Sequence, residues 1–131
     1  MDGAMGTTLA ERGVDTSKPL YSAQVLLDSP EVVKQIHRDY IEAGSEVILT
    51  NTFSTSTVAL TSASMQEKKD DLPDLAVEMA LEAVEESGRG DDVLVAGSIS
   101  PIGTYFDSEP TEEQLFKAQE AHALRLAMAG I

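Results

Sequence analysis

The feature that most constrains this chain is a helical stripe that runs through a very short link into a wholly apolar strand, and does so twice. In "DSPEVVKQIHRDYIEAG", Val32, Val33, Ile36, Tyr40 and Ile41 recur at three- and four-residue steps, which is one apolar face of a helix. Ser29 is placed to cap that helix, Pro30 suits its first position, and Glu31 favours the positive end of its dipole. Gly44 can stop it in a left-handed conformation, and Val47, Ile48 and Leu49 follow as a strand. The second copy runs through Leu72, Leu75, Ala76, Met79, Ala80, Ala83 and Val84 to about Ser87, ends at Gly88 and Gly90, and gives way to "VLVAGS". A third helix opens at "TEEQ", a capping box with Thr111 as cap and Gln114 reaching back, and continues through Leu115, Ala118, His122 and Leu126 to "AGI".

Helix, tight link, apolar strand, polar loop, helix is βα construction with a parallel sheet. Strands of this kind, apolar at every position, suit a sheet covered on both faces. The link after each strand is long and polar, whereas the link before it is short. That asymmetry puts chemistry at the carboxyl ends of the strands. The strand at 47–49 ends in Thr50, Asn51, Thr52 and Phe53 instead of ordinary turn residues, so this stretch reads as a functional edge. Both ends of the pattern look cut. "LRLAMAGI" closes like "YIEAG" with no strand after it, and "MDGAMGTT" opens on a turn-like Asp-Gly with no strand before it. Two strands alone leave exposed edges, so the expectation is the opening part of a larger barrel or open sheet.

Composition narrows the partners. A net charge of −14 over 131 residues repels a polyanion, which argues against nucleic acid. No apolar run approaches the roughly 18–20 residues that span a bilayer, and no basic-then-apolar leader is present. The absence of cysteine excludes disulfides and any thiolate of the chain's own, and favours a cytoplasmic setting. Glu78, Glu82, Glu85 and Glu86, and likewise Glu112, Glu113 and Glu120, read as solvated helix faces. A sharper reading of the same charge is adaptation to high salt.

"DGAMGT" at 2–7, "SPEVVKQIHRDYIEAGSEVILTNTF" at 29–53 and "VAGSISPIG" at 95–103 occur in order and at plausible spacing. Together they resemble the N-terminal part of the homocysteine S-methyltransferase family, which includes the homocysteine-binding module of cobalamin-dependent methionine synthase. The resemblance spans nearly the whole chain but only about the first three βα units of that family's (β/α)8 barrel, a fold of roughly 250 residues. It implies an α/β fold, a partial TIM (β/α)8 barrel, with 1–131 the N-terminal portion of a domain incomplete at both ends.

The resemblance also implies a chemistry. Family members bind homocysteine at the carboxyl ends of the strands and hold zinc through three cysteines. The metal lowers the thiol pKa so that a thiolate takes a methyl group from the donor and gives methionine. The donor could be S-methylmethionine, S-adenosylmethionine, betaine, or a methyl-cobalamin or folate system. With no cysteine in this chain, the zinc ligands would belong to the remainder of a full-length enzyme, and the segment alone is expected to be inactive. Carried over by position, Asp2 and Gly3 meet the amino-acid end of homocysteine, for which a carboxylate and free N–H groups are suitable chemistry. Thr50, Asn51, Thr52 and Phe53 line the same pocket from the second strand, and Gly97 and Ser98, with Pro101 and Gly103, from the third. Ser54 and Ser100 stand where many relatives differ.

Plainer readings accompany these. Asn51 can simply tie down backbone groups of its loop, Phe53 can be packing, and His37 and His122 read as helix-packing residues. "STSTVALTSAS" reads as a loop with a short helical piece, and the lysines and aspartates at 68–71 as a solvated approach to a helix. A non-catalytic partial-barrel binding or assembly module, and another α/β-barrel enzyme, are the competing functions.

Overall fold

The computed structural model describes residues 1–17, 19–106 and 109–131. Along the chain come α1 (Met5–Glu11), a 3-10 turn (Tyr21–Gln24) leading into α2 (Val25–Asp28), α3 (Pro30–Glu42) and β1 (Val47–Leu49). Next are α4 (Thr57–Ser62), a 3-10 turn (Gln66–Lys68), α5 (Asp71–Glu86), β2 (Leu94–Ala96), a 3-10 turn (Ile102–Tyr105) and α6 (Glu112–Met128). β1 and β2 pair in parallel, with Val47 opposite Leu94, Ile48 opposite Val95 and Leu49 opposite Ala96. This is an α/β arrangement around a small two-stranded parallel sheet.

The expected helix boundaries have physical causes that can be followed atom by atom. Gly44 ends α3 with φ +100, a conformation that costs glycine little, and Ser45 N–H then reaches back to Tyr40 O at 2.9 Å. The capping box of α6 is formed in full: Thr111 Oγ1 accepts from Gln114 N–H, and Gln114 Oε1 accepts from Thr111 N–H. The expected hydroxyl cap at Ser29 is not. Ser29 occupies the cap position, but its side chain makes no bond to the first turn. Val32 N–H is satisfied by the Ser29 carbonyl at 3.1 Å instead.

Two apolar clusters set the packing. Ile48 of β1 meets Ile41 of α3, Ala80, Ala83 and Val84 of α5, and Val93, so α3 and α5 cover one face of the sheet. A larger cluster of Leu9, Leu20, Leu26, Val33, Ile36, Leu60, Leu72 and Met79 joins the first five helices. Cover on both faces of the sheet was the expectation, and here the structure differs. Leu94 is 70% exposed and Val47 and Leu49 are only half-buried. The alternation of a strand aims these side chains away from α3 and α5, and nothing among the described residues lies over Leu94.

Charged clamps tie the helices together. Lys34 of α3 pairs with Glu31 and bridges to Glu82 and Glu86 of α5, and Arg38 meets Glu86 at 2.9 Å. Arg12, just past α1, bonds Asp39 of α3, and Arg125 of α6 bonds Asp74 of α5. Five of the chain's nine basic residues are therefore engaged in these and the Lys117–Glu113 pair. With 23 acidic and nine basic residues, acidic side chains far outnumber the cations available to them.

Candidate functional site

The carboxyl ends of the strands are built around one hydroxyl. Thr52 Oγ1 is fully buried; it donates to Ser98 O at 2.9 Å and accepts from Ser98 N–H at 3.0 Å. Its single proton is thus committed, so the 2.8 Å contact with Thr50 Oγ1 must be donated by Thr50. Together with Thr50 N–H on Ala96 O at 2.9 Å, Thr52 extends the β1–β2 ladder past the last strand residue. A side chain does here what the backbone does within the strands.

Asp2 lies on the opposite edge of β1. Its N–H donates to Val47 O at 2.8 Å and its Oδ2 accepts from Leu49 N–H at 3.0 Å. The carboxylate occupies the place that a paired strand's carbonyl would take. Its other oxygen, Oδ1, is buried without a partner among the described residues. Burial raises the Asp2 pKa above the ordinary carboxylate value, against the opposing pull of the Leu49 N–H. Gly3 sits against Tyr40: a Cβ there would fall 2.7 Å from the phenol oxygen. Gly97 is similarly constrained, because a Cβ would meet Leu126 Cδ1 at 2.7 Å.

Asn51 points elsewhere. Its Oδ1 accepts from Ser22 Oγ at 2.8 Å and its Nδ2 donates to Ser22 O at 2.9 Å, so it fastens the 3-10 turn at Tyr21–Gln24 to the end of β1. The turn is a strained one: Tyr21 has φ +49, uncommon for a bulky residue. Phe53 is 47% exposed between buried neighbours and lines an open cavity of about 610 Å³ with Pro19, Tyr21, Ser22, Ser54 and Tyr105. The Ser54 and Tyr105 hydroxyls lie 3.2 Å apart on its wall.

Of the ten residues placed at the pocket from the sequence, Thr50, Thr52 and Ser98 are joined directly, and Asp2 reaches them through Leu49 of β1. Asn51 is engaged with Ser22. Phe53 alone of the ten lines the cavity. Tyr21, Ser22 and Tyr105 were not singled out, and no motif marks them: only the φ of Tyr21 and the folding of the turn onto β1 bring them there. The two histidines are both buried, as helix-packing residues should be. Among the described residues neither ring nitrogen of His37 has a partner, and burial lowers its pKa to about 4. His122 lies 3.3 Å from Thr55 Oγ1 through Nε2, and burial lowers its pKa also.

The model of the homocysteine S-methyltransferase family matches residues 1–131. The chain belongs to that family. Among relatives, the homocysteine S-methyltransferase of Escherichia coli is 34% identical over 110 residues, covering 80% of this chain and 36% of that protein. Homocysteine S-methyltransferase YbgG of Bacillus subtilis is 31% identical over 113 residues, with 80% and 36% covered. The selenocysteine methyltransferase of Astragalus bisulcatus is 31% identical over 121 residues, with 79% and 36% covered. The solved structure of the E. coli homocysteine methyltransferase MmuM in its metallated form superposes with a TM-score of 0.85 at 29% identity, covering 99% of this chain and 50% of that one. The chain thus spans about a third of the length of these curated relatives and half of that structure. Membership of a methyltransferase family, read from three short stretches of sequence, is established on this ground.

Proposed function

We propose that the chain is the N-terminal portion of a homocysteine S-methyltransferase, part of a (β/α)8 barrel whose metal-holding residues lie outside residues 1–131. Its part in the reaction is to bind and orient homocysteine for methyl transfer from a small donor. The reading is supported by the family match together with one structural feature: Asp2–Leu49 and Thr52–Ser98 bonds join the three motif-bearing stretches through β1. The zinc implied by the family does not fit the residues present. The sequence has no cysteine, and no group of three His, Cys, Asp or Glu side chains capable of holding a metal occurs among the described residues.

Within these limits the chain's own groups have definite work. The unpartnered Asp2 Oδ1 is an acceptor for the ammonium of homocysteine, and an ammonium there would reverse the effect of burial and favour the carboxylate. The open backbone beside Gly3 admits the carboxylate end. Thr50 and Thr52 hold the wall in place, Asn51 keeps the Tyr21–Gln24 turn against it, and Phe53 contributes an apolar surface beside the substrate chain. Gly97 and Ser98 complete the wall from β2. A titration of L-homocysteine into the 131-residue chain, followed by amide NMR, should shift residues 2–3, 50–53 and 97–98, while the chain alone forms no methionine. Absence of those shifts, or turnover by the chain alone, would refute the proposal.

The exposed Leu94 favours a second reading, in which this face is covered by another chain in a non-catalytic assembly. A discrete soluble oligomer on size exclusion that takes up no homocysteine would select it.

A further inference from the structure

We infer that His122 of α6 is a positioning residue for the wall that carries Thr50, Asn51, Thr52 and Phe53, acting through Thr55. The inference rests on the functional reading above only where substrate is concerned; its structural half stands alone. Thr55 Oγ1 donates its one proton to Thr52 O at 3.0 Å. The 3.3 Å contact between Thr55 Oγ1 and His122 Nε2 must then be donated by the imidazole. This assigns the Nε2–H tautomer, with Nδ1 bare, and Nδ1 is indeed buried with no donor facing it among the described residues. A continuous path results: His122 Nε2–H to Thr55, Thr55 to the carbonyl of Thr52, and the Thr52 hydroxyl to both main-chain groups of Ser98.

The path matters because of where it grips. Thr52, Ser54, Thr55 and Ser56 are all buried, and Phe53 between them projects outward. The segment is held by Asn51 to the Tyr21–Gln24 turn, by Thr52 to the end of β2, and by Thr55 to α6. These anchors come from three different parts of the fold, and His122 is the anchor beyond Phe53. Clamped neighbours on both sides set the direction of the half-exposed Phe53 side chain. Removal of the His122 clamp takes away the link to α6 and leaves the far side of Phe53 to the Ser54–Tyr105 contact and the Ser56 cap of α4.

Three variants test this in the 131-residue chain. Glutamine can place an amide N–H near the position of Nε2, so His122→Gln should preserve the link; His122→Leu and Thr55→Val break it from opposite sides. The wild-type imidazole should show the Nε2–H tautomer in long-range 15N–1H spectra. Backbone amide order at 52–55 should fall in His122→Leu and Thr55→Val and stay at the wild-type level in His122→Gln. L-homocysteine should bind about fivefold more weakly to the first two variants and unchanged to the third, the factor expected for the loss of one hydrogen bond. An Nδ1–H tautomer, or undiminished order at 52–55 in both link-breaking variants, overturns the inference. If wild type shows no homocysteine shifts while the order falls as described, the functional reading fails and the positioning role stands. Should His122→Leu not fold, the wild-type tautomer still decides, because Thr55→Val also deletes the Thr55 bond to Thr52 O.

Discussion

Replacing Thr52 with valine keeps the shape of a fully buried side chain and deletes the hydroxyl on which the strand ends converge. Three hydrogen bonds go with it: to Ser98 O, from Ser98 N–H and from Thr50 Oγ1. Each is worth about 1 kcal/mol net, and a buried group left unsatisfied costs more. Ser98 is half-buried and can recover some bonding from water, whereas Thr50, at 2% exposure, has little access to it. The balance is a loss of about 2 kcal/mol, a fall in Tm of roughly 8 °C for a domain of this size. Urea unfolding at unchanged m-value measures it. Thr52→Ser is the informative control, since it retains the hydroxyl and loses a methyl group worth about 1 kcal/mol. Valine should therefore be the more damaging substitution. If serine proves the worse of the two, the site is held by packing and the hydroxyl-centred account of the strand ends is wrong.

Other perturbations test other parts of the structure. His37 is buried with a folded pKa of about 4 against an ordinary 6.5, so the unfolded chain binds the extra proton first and stability falls with acidification between those values. The contribution is complete above pH 6.5 and about 3 kcal/mol smaller near pH 4; His37→Leu should flatten that limb in denaturant titrations across pH, and an unchanged limb would contradict the assignment. Gly3→Ala drives a methyl group into the Tyr40 phenol, 2.7 Å away, and should cost about 1–3 kcal/mol by displacing the Tyr40–Thr8 bond; a Tyr40→Ala background should absorb most of that cost in a double-mutant cycle. With 23 acidic against 9 basic residues, self-repulsion should be relieved by salt, so Tm should climb from dilute buffer to molar KCl. Equal stability in the two would remove the high-salt reading of the charge.

What the sequence disclosed was whatever rests on local periodicity and capping. α3, α5 and α6 have stripes and stops within their own residues, and β1 and β2 have their short apolar runs. α1 has neither. Gly6, Thr7 and Thr8 are weak helix formers, and the helix persists because Leu9 is buried in the larger core cluster while Thr8 meets Tyr40 and Arg12 reaches Asp39, both on a helix some thirty residues on. The same division runs through the candidate site. The letters "TNTF" marked a polar strand end, but not what each hydroxyl or amide would bond. Thr52 and Asn51 are neighbours with similar polar capacity, yet one bridges to β2 and the other to the Tyr21–Gln24 turn. The cause is strand alternation, which sends successive side chains to opposite sides. It also explains why Leu94 is exposed while Val95 packs on the helices. A period of two tells which residues share a side and leaves open which side has a partner. Tertiary neighbours decide that, and for Asn51 the neighbour is a turn whose Tyr21 sits at positive φ, a conformation its own sequence does not favour. The energy that holds Tyr21 there must come from contacts such as the paired Ser22–Asn51 bonds. The turn and the end of β1 therefore stabilise each other, and neither is legible without the other.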